Sequence, residues 1–199
     1  MKRILIGAVL GAIVLFFWGG VYWNFLNMMV SPPNHMEDED AVVEVLRANL
    51  SETGAYWLPD IPKMNPDMQP DDIRVAMEGW TTRKEAGPVG IIMYQAEGAA
   101  MTASVFAIGF LFDFIIALIA SWYAFSVGGG FGKRLLSVLG LGVFLVFANH
   151  LMHWNFMNTP SDFTKILLVD SLVGWLLAGL VIAAVVKPKA VNPVSVPAA

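Results

Sequence analysis

Four long apolar stretches, separated by polar segments, dominate the pattern of hydrophobic and polar positions along this chain. Residues 4–26 contain no charged side chain, and similar apolar stretches occupy 99–127, 135–157 and 163–186. About 20 consecutive apolar residues are enough for a helix to cross the roughly 30 Å of hydrocarbon in a bilayer. The pattern therefore predicts an all-α membrane protein with four transmembrane helices. The first comprises residues 1–26, because its apolar run is longer than a signal-peptide core and no small-residue cleavage site follows it.

The segment 27–98 has a different character, because it holds thirteen of the sixteen acidic residues and most of the prolines. Its pattern predicts helices over about 37–50 and 70–84, the first starting in an acidic cluster that suits a helix N-terminus. The stretches 56–58 and 90–94 are predicted to be strands that can pair with each other. We therefore expect a small α+β cap inserted between the first two transmembrane helices.

Basic residues set the predicted orientation, because cytoplasmic loops are enriched in lysine and arginine. In a four-helix layout, six basic residues fall on one side with no acidic residue among them: Lys2, Arg3, Lys133, Arg134, Lys187 and Lys189. The prediction is that both termini are cytoplasmic, that 27–98 is extracytoplasmic, and that 187–199 is a disordered cytoplasmic tail.

Composition narrows the function classes. The chain is 57% hydrophobic and 14% charged, with a mean hydropathy of +0.63, whereas soluble domains carry about 25% charged residues. It has no cysteine, and its net charge of −4 is not typical of a nucleic-acid-binding protein. No phosphate-binding loop, nucleophile elbow, zinc-protease motif or dinucleotide fingerprint occurs. With no evident nucleophile–base pair, we expect neither an enzyme nor a cofactor.

The first and third helices end in similar sequences, Tyr22–Asn27 and His153–Asn158, which share a Trp-Asn-Phe-x-Asn pattern. The second and fourth helices each carry one aspartate, Asp113 and Asp170. This indicates an internal duplication, in which two helical hairpins are related by an axis along the membrane normal. The alternative is that tryptophan and asparagine simply recur at the outer membrane interface.

Several polar residues fall at similar depth in these helices. An aspartate near the centre of a membrane helix costs about 3 kcal/mol on insertion scales, so such residues need partners or water. A helical rise of about 1.5 Å per residue places the ionisable ones roughly 21–27 Å above the cytoplasmic end. In helical spacing, Asn149 shares a face with His153, and His150 shares one with Trp154. The candidate binding residues are Trp18, Tyr22, Asp113, Asn149, His150, His153, Trp154, Asp170 and Trp175.

Four interpretations of this polar layer stay open. Its hydrogen bonds can lock the helices in register, or it can form a pocket for a small molecule or lipid headgroup. His150 and His153, with Asp113 or Asp170, are suitable ligands for a divalent metal. Proton coupling through the carboxylates is the fourth interpretation. A copper(I) site is a variant of the metal interpretation, drawing on Met28, Met29, His35, Met36, Met152 and Met157.

Short motifs resemble those of a group of small, functionally uncharacterised bacterial four-span membrane proteins. They are Phe17-Trp18-Gly19, Gly87-Pro88-Val89-Gly90, the stretch from Trp154 to Thr164 containing Pro160-Ser161-Asp162, and the fourth-helix run Gly174–Leu180. The resemblance implies the four-span layout and the bacterial cytoplasmic (inner) membrane, and it implies no activity. His153-Trp154 departs from the more ordinary aromatic pair expected there.

The hypothesis for function is a non-enzymatic interaction or accessory component of the membrane, partnered by the lipid bilayer and by another membrane protein or a second copy, with no role for nucleic acid. Small-residue faces at Gly7/Gly11 and Ala8/Ala12 permit close helix approach. The alternative hypothesis is a small-ligand- or metal-binding membrane protein that uses the polar layer.

Overall fold

A computed structural model describes residues 1–187; the predicted disordered tail from residue 188 onward lies outside the described residues. Four helices are long and apolar enough to cross a membrane: span 1 (Lys2–Val30), span 2 (Ala103–Val127), span 3 (Phe131–Phe156) and span 4 (Ser161–Val185). The mostly helical chain with four candidate spans agrees with the prediction. The bounds shift by a few residues: span 1 continues beyond 26, span 2 starts later than 99, and span 3 starts before 135.

The described chain divides into two compact units. The first, which we call the bundle, consists of Met1–Pro32, Thr102–Leu151 and the described part of the segment beginning at Asp162. The second, which we call the insert unit, consists of Pro33–Met101 and Met152–Ser161.

Small residues form the centre of the bundle. A Cβ added at Gly11 would lie 2.9 Å from Ile182 Cδ1 of span 4 and 3.1 Å from Ala117 Cβ of span 2. Span 3 packs on span 4 in the same way, because a Cβ at Gly142 would lie 2.7 Å from Trp175 Cβ. Helices in membranes associate through such close backbone approach. The fully buried small side chains around these contacts are Ala8, Ala12, Ala117, Ala120, Ala124, Ala178 and Ala183.

Both odd-numbered spans contain a π-helical segment, at Tyr22–Leu26 in span 1 and at Val146–Leu151 in span 3. The two segments do not match in the expected repeat, because the first contains its Trp-Asn-Phe motif and the second precedes it. The motif asparagines also differ. Asn27 is helical, whereas Asn158 has φ +54° and follows a helix that ends at Phe156, and the Thr159 amide donates to His153 O.

Span 3 begins at Phe131 and so includes the Lys133-Arg134 pair, which was expected to lie before the helix. Arg134 is only 4% exposed, and its guanidinium donates hydrogen bonds to backbone carbonyls. Its Nε and Nη2 donate to Ala183 O at 3.1 and 2.9 Å, and Nη1 donates to Gly129 O. Carbonyls near the C-terminal end of a helix are favourable partners for a cation. Arg134 therefore holds the start of span 3 against the end of span 4.

The insert unit contains the elements that its sequence predicts. The first insert helix is Glu39–Asn49, where the Asp38 carboxylate accepts from the Ala41 amide at 2.9 Å. The second insert helix is Pro70–Ala86, with proline at its first position. Strands β1 (Gly54–Leu58) and β2 (Gly90–Tyr94) pair antiparallel, with Tyr56 opposite Ile92. This is the strand pair that the sequence predicts, with β1 two residues longer at its start.

Candidate functional site

Three aromatic residues of span 1 contact span 4 in the predicted polar layer. Trp18 Nε1 donates to Asp170 O at 3.0 Å, and Trp23 Nε1 donates to Asp170 Oδ2 at 2.9 Å. Tyr22 is 1% exposed, and its hydroxyl donates to Ile166 O at 2.8 Å. Span 1 is therefore joined to span 4 by three hydrogen bonds over little more than one helical turn.

Local backbone geometry brings these aromatic residues to one face. Trp18 and Tyr22 are four residues apart and stack, with ring centroids 5.3 Å apart. Trp23 follows Tyr22 directly, and their ring centroids are 6.0 Å apart. Both residues lie in the π turn Tyr22–Leu26, in which the Asn27 amide donates to Tyr22 O. A side chain at Gly174 would collide with Trp18, since its Cβ would lie 2.9 Å from Trp18 Cδ1. Gly174 thus makes room for the indole.

Span 3 joins the same layer through His150. The His150 side chain is 8% exposed, and its Nε2 lies 2.7 Å from Ser171 Oγ of span 4. Asn149 Nδ2 lies 3.5 Å from His150 Nδ1. Trp175 is one helical turn after Ser171 in span 4, is 8% exposed and packs against Gly142 of span 3. The predicted residues Asn149, His150, Asp170 and Trp175 are therefore brought together with Trp18 and Tyr22.

Asp113 occupies a different environment. It lies near the middle of span 2 and is partly buried, and its carboxylate is within electrostatic range of Asp170. Within residues 1–187, the Asp113 carboxylate has no hydrogen bond or ion pair, whereas the Asp170 carboxylate accepts from Trp23.

His153 and Trp154 belong to the insert unit and are exposed. Trp154 is 47% exposed and donates from Nε1 to Ser161 Oγ at 3.1 Å, so it does not share the buried environment of His150. The common face that their spacing predicts for His150 and Trp154 stays a prediction. The two motif tryptophans have different acceptors, since Trp23 donates to the Asp170 carboxylate and Trp154 donates to the Ser161 hydroxyl.

The described residues contain no group of three or more histidine or acidic side chains arranged to hold a metal ion. The layer is dominated by hydrogen bonds from aromatic N–H and O–H donors to carbonyl and carboxylate oxygens. Such bonds leave the buried donors satisfied, which is what a helix contact in hydrocarbon requires. Chemically, the layer is suited to holding helices in register.

Sequence reasoning did not identify three participants: Ser171, Trp23 as a donor, and the glycines that receive indole rings. Ser171 follows Asp170 directly, so a polar pair in an apolar helix was an available signal. Gly142 and Gly174 gave no signal of their own, because glycine is common in membrane helices.

No protein-family model, curated protein or solved structure matches this chain.

Proposed function

We propose that this chain is a non-enzymatic accessory protein of the bacterial cytoplasmic membrane that binds a partner protein through its insert unit. In this proposal the four spans anchor the chain, both termini are cytoplasmic, and the insert unit faces outward. The basic residues at one end of the bundle support the orientation. The short motifs that resemble those of small four-span bacterial proteins imply the same layout.

One observation carries the proposal: the insert unit lacks a buried core. None of its described residues is buried, although it displays many large apolar side chains. Large exposed apolar surface in a folded unit marks an interaction site. Its exposed apolar residues lie on both helices, both strands and the connecting loop: Val42, Val45, Trp57, Leu58, Ile61, Met64, Ile73, Val75, Met77 and Met93.

The first insert helix offers the best-defined part of this surface. Ala41, Val42, Val45 and Leu46 line one apolar groove along it. Val45 is 61% exposed, and helical spacing places the carboxylates of Asp40 and Glu44 away from this groove. An amphipathic helix with a free apolar face suits docking against an apolar surface of another protein.

The small-residue face of span 1 is less suited to this role. Gly7, Ala8, Gly11 and Ala12 are buried. A Cβ at Gly7 would lie 2.8 Å from Ser121 Oγ of span 2. These positions already serve packing within the chain, so the insert unit is the favoured partner surface.

Site-specific photo-crosslinking in native membranes tests the proposal. A photoreactive residue at Val45 is expected to give one discrete protein adduct, identified by mass spectrometry. The matched control at Glu44, which is exposed on the polar side of the same helix, is expected to give none. The proposal fails if Val45 gives no protein adduct, or if both positions give the same diffuse products.

Asp113 favours a second candidate, a cation-binding role for the polar layer. A partly buried carboxylate without a hydrogen bond in the described chain, close to the charge of Asp170, is a suitable place for a bound cation. Elemental analysis of the purified protein tests this candidate. A stoichiometric metal that is lost in Asp113→Asn and in His150→Ala would support it, and a metal-free protein would exclude a tightly bound metal.

A further inference from the structure

Basic residues gather at one end of the bundle, where two arginines serve the fold. Arg3 Nη1 donates to Lys187 O at 2.9 Å, which places Lys187 beside the start of span 1. Arg134 is buried and donates to Ala183 O. Lys2, Lys133 and Lys187 are exposed, and none of the ion pairs among the described residues involves them.

The acidic residues of the bundle lie far from this end of it. They are Asp113, Asp162 and Asp170, since the other thirteen acidic residues of the sequence belong to the insert unit. Asp113 is fourteen residues from the end of span 2, or roughly 21 Å of helix. Asp170 is fifteen residues from the end of span 4, or roughly 22 Å. The described residues of the bundle therefore supply no nearby counter-charge for the three lysines.

A groove on span 1 continues directly from Lys2. It is lined by Leu5, Ile6, Val9 and Leu10, which are 37–50% exposed. The spacing from Lys2 is three, four, seven and eight residues, so the lysine and the groove share one helix face. That face is opposite the buried Gly7 and Gly11. The Lys2 ammonium group therefore lies at one end of the apolar groove.

We propose that this surface binds one anionic phospholipid. Its phosphate contacts Lys2, and one acyl chain lies along Leu5, Ile6, Val9 and Leu10. Basic residues at the cytoplasmic ends of spans attract anionic headgroups, and the apolar groove distinguishes a lipid from a soluble phosphate. The inference rests on the membrane placement and is independent of the partner surface of the insert unit.

Native mass spectrometry of the full chain in mild detergent tests the proposal, with phosphatidylglycerol and phosphatidylcholine of identical chains as probes. The protein is expected to retain one phosphatidylglycerol in preference to phosphatidylcholine. Lys2→Gln is expected to lower this binding about fivefold. The Lys2 side chain takes part in no ion pair within residues 1–187, so the change leaves the contacts of the bundle intact.

Lys133→Gln is the matched control, because Lys133 is exposed at the same end but does not continue into this groove. It is expected to keep binding within about twofold. An equal fall in Lys133→Gln and Lys2→Gln would overturn the proposal in favour of general surface charge. Equal retention of both lipids, or displacement of phosphatidylglycerol by millimolar inorganic phosphate, would also overturn it.

Discussion

Replacing Gly142 by alanine perturbs the contact between spans 3 and 4 at its tightest point. The added Cβ would lie 2.7 Å from both Trp175 Cβ and Cγ and 3.1 Å from Cδ1. Comfortable carbon–carbon contacts are about 3.5–4.0 Å, so the two helices must separate locally by about 1 Å. Trp175 is 8% exposed and has little room to move away. Overpacking of this kind lowers the free energy of unfolding by about 1–3 kcal/mol.

Gly140→Ala is the matched control, because it lies in the same helix and nothing is within 4 Å of its added Cβ. We expect it to preserve or raise stability, since alanine is favoured over glycine in a helix by about 1 kcal/mol. Reversible unfolding in mixed micelles, followed by tryptophan fluorescence, compares the two variants. If Gly142→Ala were as stable as Gly140→Ala, the packing of Trp175 on span 3 described above would be wrong.

The remaining predictions use the same unfolding assay. Tyr22→Phe removes the hydroxyl that donates to Ile166 O, and it is expected to cost about 0.6–1.7 kcal/mol, the range for hydrogen bonds between membrane helices; an unchanged stability would contradict the bond. Arg134→Gln removes charge-assisted hydrogen bonds to Ala183 O and is expected to lower the free energy of unfolding by about 1.5–3 kcal/mol. An unchanged free energy of unfolding would mean that water solvates the Ala183 carbonyl. Asp113→Leu is expected to raise stability, because it removes a carboxylate that costs about 3 kcal/mol in the middle of a span; a loss of stability would show that the carboxylate has a stabilising partner.

The spans and the strand pair were predictable from sequence because each depends on a strong local pattern. Residues 4–26 carry no charge, and the 56–58 and 90–94 stretches are rich in residues that favour strands. The depth of Asp170 and His150 was also predictable, because helical rise fixes height along a span. These two residues do meet the aromatic side chains of span 1 and Ser171 in one layer.

The helix face on which each polar side chain lies was not predictable, because a π turn changes the angular spacing between residues. The π turn Tyr22–Leu26 contains Trp23, which donates to Asp170, and the π segment Val146–Leu151 contains His150, which contacts Ser171. Neither segment has a sequence signature that distinguishes it from an ordinary helix. Burial of Arg134 was missed for another reason: its partners are backbone carbonyls, which sequence patterns do not reveal.

A double-mutant cycle on Trp23 and Asp170 tests whether the polar layer stabilises the bundle. Trp23→Phe and Asp170→Ala each remove one side of the bond from the indole to the carboxylate. If this bond stabilises the bundle, the two changes are coupled by about 0.6–1.7 kcal/mol. The matched cycle of Trp18→Phe with Asp170→Ala should give a smaller coupling, because Trp18 donates to the backbone oxygen of residue 170. Additivity of the Trp23 cycle within about 0.3 kcal/mol would contradict this stabilising role.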